Sequence, residues 1–330
     1  MKVLVTGATG FVGSHLVDLL LERGYAVRCL VRKTSNLQWL ANKPVELVEG
    51  SLQDVQSLEQ AVQGIEGVFH IAGVIAARSE RGYFEANQKG TRNLLQAVLR
   101  YNPTIQRFLH MSSLAAVGPA PSLDQPVTED TPPHPITAYG RSKAAAEQEV
   151  LAVQDQLPVT IIRPPAVYGP RDAALVALFQ TIVRGIVPLI GLKEKYVSLV
   201  HVADLVRGTL LAFESPKAAG EIFFISSERF YTWEEVGTTV IRAAGKRRYF
   251  KVKIPHALVL TIAGFSEFLG RFSTKPPVFN LDKGRDFIQP YWICSVDKAK
   301  RLLGYRQEVE IDQGVPETLQ WYIEQGWITA

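Results

Sequence analysis

Cysteine and methionine are scarce in this 330-residue chain, with two of each. Cys29 and Cys294 cannot build a disulfide framework or a cysteine zinc site, so nothing argues for an oxidising compartment. The six histidines show no ligand spacing such as H-x-x-x-H, and no metal site is expected. Neither charge sign dominates: 36 basic against 32 acidic residues leave a net charge of +4. That excess is spread along the chain and implies no nucleic-acid partner.

Long apolar runs are missing too. The N-terminus has a lysine, then Val3-Leu4-Val5, then a glycine-rich turn, too little for a signal peptide core of roughly 7–15 residues. The most apolar stretch, 254–268, is interrupted by Pro255, His256, Ser266 and Glu267. A spanning helix needs roughly 18 or more clean apolar residues. The stretch is therefore read as a buried helix rather than a membrane-surface contact. A cytoplasmic enzyme with a small-molecule substrate is the expectation, and a homodimer stays open.

What is present is globular: 47% hydrophobic and 21% charged residues rule out a disordered chain. Short Val/Ile/Leu runs at 2–5, 25–31, 45–49, 67–71, 107–111 and 159–163 alternate with helical patterns at 13–23, 58–62, 87–101 and 139–153. Continuous apolar strands separated by helices predict a parallel α/β sheet covered on both faces. After Arg163 the regularity fades. Helices are expected at 173–184 and 202–213, and strands at 197–202 and 221–225. The rest reads as mostly helical.

Thr6-Gly7-Ala8-Thr9-Gly10-Phe11-Val12-Gly13 follows the first strand and opens the first helix. Gly7 permits a tight turn, Gly10 lets backbone approach a phosphate, and Gly13 lets helix and strand pack closely. The helix N-terminus then presents free N–H groups and a positive dipole end to a pyrophosphate. The second strand ends in Leu30-Val31-Arg32-Lys33-Thr34-Ser35, with no carboxylate for a ribose 2′-hydroxyl. Arg32 and its neighbours suit a 2′-phosphate, so NADP is expected, with NAD as the alternative.

Tyr139 and Lys143 lie four apart at a helix start, on one face and one turn apart. An ammonium there favours the phenolate and would lower the phenol from its usual value of about 10. Ser112-Ser113 ends the fifth strand, on the side where α/β sheets bind ligands.

At these residues the chain resembles the extended short-chain dehydrogenase/reductases. The resemblance rests on Thr6–Gly13, Asn87 with Gly90-Thr91, Ser112-Ser113, Tyr139 with Lys143, Arg163-Pro164-Pro165 and His201-Val202-Ala203-Asp204. It implies a Rossmann-type doubly wound sheet over 1–165, with late elements near 197–225 returning to it. A smaller, mostly helical substrate lobe would occupy 166–330. It further implies that Ser113 orients substrate, Tyr139 moves the proton, and Lys143 holds the nicotinamide ribose and tunes Tyr139. Ser113 is chosen over Ser112 because it lies five residues before Gly118. The cofactor residues implied are Gly7, Thr9, Gly10, Phe11, Val12, Gly13, Arg32, Ser51, Leu52, Ala72, Gly73, Asn87, Tyr139, Lys143 and Pro165. His201 and Asp204 would serve the fold.

Two branches of that family fit poorly. Dehydratases place an acidic pair after the catalytic hydroxyl, where this chain has Leu114 and Ala115. Epimerases carry nucleotide grips where this chain has Ala166 and Val197-Ser198-Leu199, although Lys193, Lys195 or Arg171 could substitute. The remaining resemblance is to the dihydroflavonol-reductase and 3β-hydroxysteroid-dehydrogenase-like branch, supported by Lys275-Pro276-Pro277 and Leu303-Gly304-Tyr305. It implies interconversion of a carbonyl and a secondary alcohol. Of Phe179, Ile190, Phe230, Tyr231, Phe265, Phe268 and Phe272 most are read as core, and the missing nucleotide grips with the apolar 254–268 stretch favour a pocket lined mainly by hydrophobic groups. The alternatives are a nucleotide-sugar epimerase with bound NAD and a non-catalytic cofactor sensor.

Overall fold

A computed structural model describes residues 1–270 and 280–329. Strands β1 (Lys2–Thr6), β2 (Ala26–Val31), β3 (Val45–Glu49), β4 (Gly67–His70), β5 (Arg107–Met111) and β6 (Val159–Arg163) build most of one parallel sheet. Between them run α1 (Phe11–Glu22), α2 (Val55–Val62), α3 (Glu80–Tyr83), α4 (Gly90–Tyr101) and α5 (Ala138–Leu151). The apolar strands follow from burial on both faces. Val3 and Val5 of β1 face the core shared with α1, whereas Leu4 faces the core shared with α2 and α4.

After β6 come β7 (Ala166–Tyr168), α6 (Val176–Val183), β8 (Ile186–Ile190), β9 (Tyr196–Val197), β10 (Leu199–His201), α7 (Val202–Glu214) and β11 (Glu221–Phe224). The last of these joins the main sheet, whose order is β11-β6-β5-β4-β1-β2-β3. Its direction of winding reverses between β1 and β4, and the crevice at the carboxyl ends there is where such sheets bind ligands. α7 packs beside α1 on the same face.

The C-terminal part continues with β12 (Tyr231–Thr232), α8 (Trp233–Ala243), β13 (Phe250–Ile254), α9 (His256–Gly270), α10 (Leu281–Ile288), β14 (Tyr291–Trp292), α11 (Asp297–Leu303) and α12 (Ile311–Glu324). A separate core around Phe179, Val240, Leu319 and Tyr322 holds α6, α8 and α12 together.

Four expectations change. The strand expected at 197–202 divides at Ser198, because β9 pairs with β12 and β14 while β10 pairs with β7. β8 and β13 pair in parallel within a region read as helical; β8 contains Pro188, which suits a short edge strand and weakens its strand signal. The stretch at 254–268 does form a helix, but not a buried one: Leu258, Ile262 and Phe265 are exposed. The helix expected at 87–101 begins earlier, at Glu80, and passes through a π-helical turn, Phe84–Lys89, that carries Asn87. Such turns recur at functional sites. Among the described residues no helix is long and apolar enough to cross a membrane.

Candidate active site

The glycine turn fits a pyrophosphate group for reasons visible in its backbone. Gly7 has φ +75°, and a Cβ there would lie 2.7 Å from the Ala72 nitrogen. A Cβ on Gly13 would lie 2.1 Å from the Gly7 carbonyl oxygen, so these glycines let α1, β1 and the end of β4 meet. Gly10 caps α1 and no side chain accepts from its first turn. By contrast, Asp54, Thr137, Thr232 and Asn280 cap α2, α5, α8 and α10 with side-chain oxygens. The uncapped turn of Phe11, Val12 and Gly13, with Thr9 before it, therefore keeps its donors for an anion.

Arg32 is exposed just past β2. Its N–H donates to the Ser35 hydroxyl at 3.1 Å, and the Ser35 N–H donates to the Arg32 carbonyl at 2.8 Å. The turn is thus fixed while the guanidinium points to solvent. Ser51 closes the corresponding turn after β3, its hydroxyl accepting from the Asp54 N–H at 3.2 Å. Leu52 lies against Gly90, and its carbonyl accepts from the Asn93 amide at 2.8 Å.

A buried network locks the end of β4, and its proton arrangement can be derived. Thr91 donates its hydroxyl proton to the Asn87 carbonyl at 2.6 Å. Its oxygen then accepts from His70 Nε2–H at 2.9 Å. His70 Nδ1 is left to accept from the Thr6 hydroxyl at 2.7 Å, and the Thr6 oxygen takes the Ala72 N–H at 3.3 Å. Burial holds His70 neutral, down to about 3, with Lys143 adding to the effect. The Asn87 side chain is fully engaged: it accepts from the Val74 N–H at 2.8 Å and donates to the Val74 carbonyl and the Ser142 hydroxyl. It thus fastens the loop carrying Ala72 and Gly73 to α5. A Cβ on Gly73 would lie 3.3 Å from Asn87 Oδ1 and 3.7 Å from Lys143 Nζ. Nothing in the spacing of the sequence singles out His70; its one signal is a polar residue closing an otherwise apolar strand.

The loops after β5 and β6 are laced together. The Ser112 N–H donates to the Ile162 carbonyl at 2.7 Å, and the Leu114 N–H to the Pro164 carbonyl at 2.8 Å. Pro165 follows directly and is buried. Ser112 is buried with its hydroxyl unpartnered among the described residues. Ser113 instead lies close enough to Tyr139 to favour its phenolate, while its oxygen accepts from the Ala115 N–H at 3.2 Å. Gly140 makes this approach possible, since a Cβ there would lie 2.3 Å from the Ala115 carbonyl oxygen.

Lys143 is buried beside them and donates to the Met111 carbonyl at 2.6 Å. Desolvation lowers its ammonium to about 8, opposed by Glu147 one turn further along α5. The expected lowering of Tyr139 by this ammonium is not seen. Burial pushes the phenol up to about 12, opposed by the nearby Ser113 hydroxyl, with Asp286 and Tyr83 raising it further. The physical reason is burial: a phenolate here costs more than the help Tyr139 receives, and Lys143 is directed at the carbonyl ending β5.

α10 closes over the start of α5, a feature invisible in the local pattern. Asp282 accepts from the Ala138 N–H at 2.7 Å. Lys283 Nζ lies 5.8 Å from the Tyr139 ring centroid, and Tyr83 lies 6.2 Å from it on the α3 side. Asp286 sits 3.7 Å from Lys283, and burial raises its carboxyl to about 6. Its Oδ1 has no partner among the described residues. In Asp286→Asn the phenol loses a negative neighbour. In the proton-moving role that the resemblance implies for Tyr139, oxidation of an alcohol would need the phenolate, so the rising limb of the pH–rate profile should move to lower pH. An unmoved limb would remove Asp286 from the site.

The apolar set read mostly as core divides between core and surface. Phe179 and Tyr231 are core residues, Phe230 packs in a cluster with Leu114, Ile190 is partly buried, and Phe265 and Phe268 lie at the surface. Phe272 and Lys275-Pro276-Pro277 lie outside the described residues. His201 caps α7, and Asp204 accepts from the Glu308 and Val309 N–H groups. Among the described residues no group of three or more His, Cys, Asp or Glu could hold a metal ion.

The chain matches known proteins over its full length. Residues 3–226 match the model of the NAD dependent epimerase/dehydratase family. A ceramide reductase of Caulobacter vibrioides is 30% identical over 99% of this chain and 96% of its own. A 3 beta-hydroxysteroid dehydrogenase/Delta 5→4-isomerase of Mycobacterium tuberculosis is 30% identical over 98% of this chain and 90% of its own. The crystal structure of a Thermus thermophilus UDP-glucose 4-epimerase complexed with NAD superposes with a TM-score of 0.77, at 26% identity, over 98% of this chain and 99% of that one. This chain therefore belongs to the NAD dependent epimerase/dehydratase family, as an NAD(P)-dependent enzyme of the short-chain dehydrogenase/reductase type.

Proposed function

We propose that the enzyme interconverts a carbonyl and a secondary alcohol on a largely apolar small molecule, with NADP(H) as cofactor. The observation that carries this is the closeness of Ser113 to the Tyr139 phenol next to Leu114 and Ala115. Two neighbouring hydroxyls suit a carbonyl oxygen, whereas elimination would need a carboxylate where Leu114 and Ala115 stand. Ser113 orients the oxygen, and Tyr139 gives it a proton on reduction or takes one on oxidation. Lys143 places a cation at the ends of β4 and β5. When bound, the nicotinamide supplies or accepts the hydride. Residues Gly7, Thr9, Gly10, Phe11, Val12 and Gly13 would hold its pyrophosphate, Arg32 a 2′-phosphate, Ser51 and Leu52 the adenosine end, and Ala72, Gly73, Asn87, Lys143 and Pro165 the nicotinamide end.

A nucleotide-sugar substrate is disfavoured because two of the candidate grips are engaged elsewhere. Lys195 donates to the Ile288 and Gln289 carbonyls at the end of α10. Arg171 pairs with Asp18 at 2.8 Å and lies over Trp39. The names of the ceramide reductase and hydroxysteroid dehydrogenase relatives support an apolar alcohol or ketone.

The test is a panel of lipid-like, steroid-like and alicyclic carbonyls run beside UDP- and GDP-sugars, with NADPH oxidation and sugar epimerisation followed separately. Turnover of apolar carbonyls is expected, with NADPH preferred to NADH. Arg32→Ala should weaken NADPH by about tenfold or more, as losing a charge-assisted contact to phosphate does, and leave NADH nearly unchanged. Epimerisation with no carbonyl turnover would replace this reading, and equal affinity for both cofactors would remove Arg32 from it.

A further inference from the structure

Helix α9 has two unlike faces. One packs on α10: Leu260 and Ala263 lie against Gly284, and Gly264 against Leu281. Glu267, the one carboxylate of the helix, accepts from the Leu281 N–H at 3.1 Å. The other face carries Leu258, Ile262 and Phe265, whose spacing aligns them in one stripe. They are 49%, 49% and 63% exposed, and α9 contains no lysine or arginine to break the stripe. Soluble monomers rarely leave such a face in water.

The neighbouring segments extend the patch. β13 leads into α9 through Pro255 and exposes Phe250 at 76%. The adjacent loop exposes Leu192 at 73%. Lys253 Nζ donates to the Leu192 carbonyl at 3.3 Å, and Gly191 lies against the His256 ring, so loop, strand and helix start are one surface. Its border is basic: Lys193, Lys246, Arg247, Arg248, Lys251 and Lys253 are all exposed. Among the described residues, only Lys251 of these six has an ion-pair partner, Glu234.

We propose that α9, with Leu192 and Phe250, docks the enzyme on the surface of an anionic lipid bilayer. An uncharged stripe edged mainly by cations, five of the six without an ion-pair partner among the described residues and with Glu194 as an exposed carboxylate among them, matches the boundary between acyl chains and anionic headgroups. A second copy of the chain matches it poorly, because a symmetric contact would bring like cations together. Docking would also set the α9–α10 pair, and hence Lys283 and Asp286 beside Tyr139, next to the lipid. The surface stands on its own observations and does not depend on which carbonyl is reduced.

The test uses the full-length protein and vesicles, without substrate. The protein should co-float with phosphatidylglycerol-containing vesicles, less with pure phosphatidylcholine, and less again as salt is raised. Ile262→Glu with Phe265→Glu should weaken flotation at least tenfold while the melting temperature and cofactor affinity stay at wild-type values. A gain-of-signal measurement guards against misfolding. Cys29 and Cys294 are both buried, so a polarity-sensitive dye will label a Phe265→Cys variant at the new thiol, and its emission should shift to the blue on adding anionic vesicles. Wild-type protein that does not co-float, a double-glutamate variant that still does, or a dye unmoved by vesicles would each overturn the proposal. So would self-association that shifts the dye without lipid.

Discussion

Tyr139→Phe should lower turnover by about 10²-fold or more, the usual worth of a positioned proton donor, and leave cofactor binding intact. The ring keeps its place between Tyr83 and Lys283, so the variant removes the hydroxyl and little else. Ser113 would then meet the substrate oxygen without a proton to exchange. The effect should be on kcat more than on KM, because the lost interaction develops as the proton moves. Steady-state kinetics with NADPH, together with a direct cofactor titration, measure both halves. Wild-type turnover in this variant would mean that another group moves the proton and that the assignment of Tyr139 is wrong.

The largest effect on stability is expected at Glu147. Its carboxylate forms a two-pronged pair with Arg163, at 2.9 Å to Nε and 2.7 Å to Nη2, and the two side chains are 2% and 4% exposed. Glu147 joins the middle of α5 to the end of β6, directly behind the loop bearing Pro164 and Pro165. Arg163 also lies over the Phe224 ring at 5.7 Å, but its Nη1 has no partner among the described residues. Removing the carboxylate leaves a buried guanidinium without its ion-pair partner, with the Glu129 carboxylate as the remaining negative neighbour. Glu147→Ala should therefore cost about 3–5 kcal/mol, read from the urea midpoint. Replacing both residues by apolar ones of similar volume should recover most of that loss, because no buried charge is then unpaired. A Glu147→Ala variant within about 1 kcal/mol of wild type would show that the pair is neutralised by water. The same variant should depress the Lys143 ammonium further, since Glu147 is what raises it.

The comparison of sequence with structure divides along one physical line. Interactions between residues close in sequence, and patterns repeated along one element, were legible from the chain alone. The apolar runs at β1, β5 and β6 signalled strands covered on both faces, and Thr6–Gly13 signalled a strand-to-helix turn with free donors. The four-residue step from Tyr139 to Lys143 put them on one side of α5. What depended on distant segments was not legible. The direction of the Lys143 side chain toward Met111 was set by how β5 packs against α5, and burial, with Asp286 and Tyr83 nearby, raises the Tyr139 phenol instead of lowering it. Asp282, Lys283 and Asp286 reach the catalytic helix from about 140 residues away, and no local periodicity records that contact. The apolar run at 254–268 was compatible with burial or exposure, because periodicity describes a face and not what covers it. The sequence by itself determined the parallel sheet, the glycine turn and the placement of Tyr139 and Lys143 on one side of α5. The tertiary structure decided the electrostatics around Tyr139 and left one face of α9 in water, because burial and neighbouring charge belong to the packing of elements rather than to any one of them.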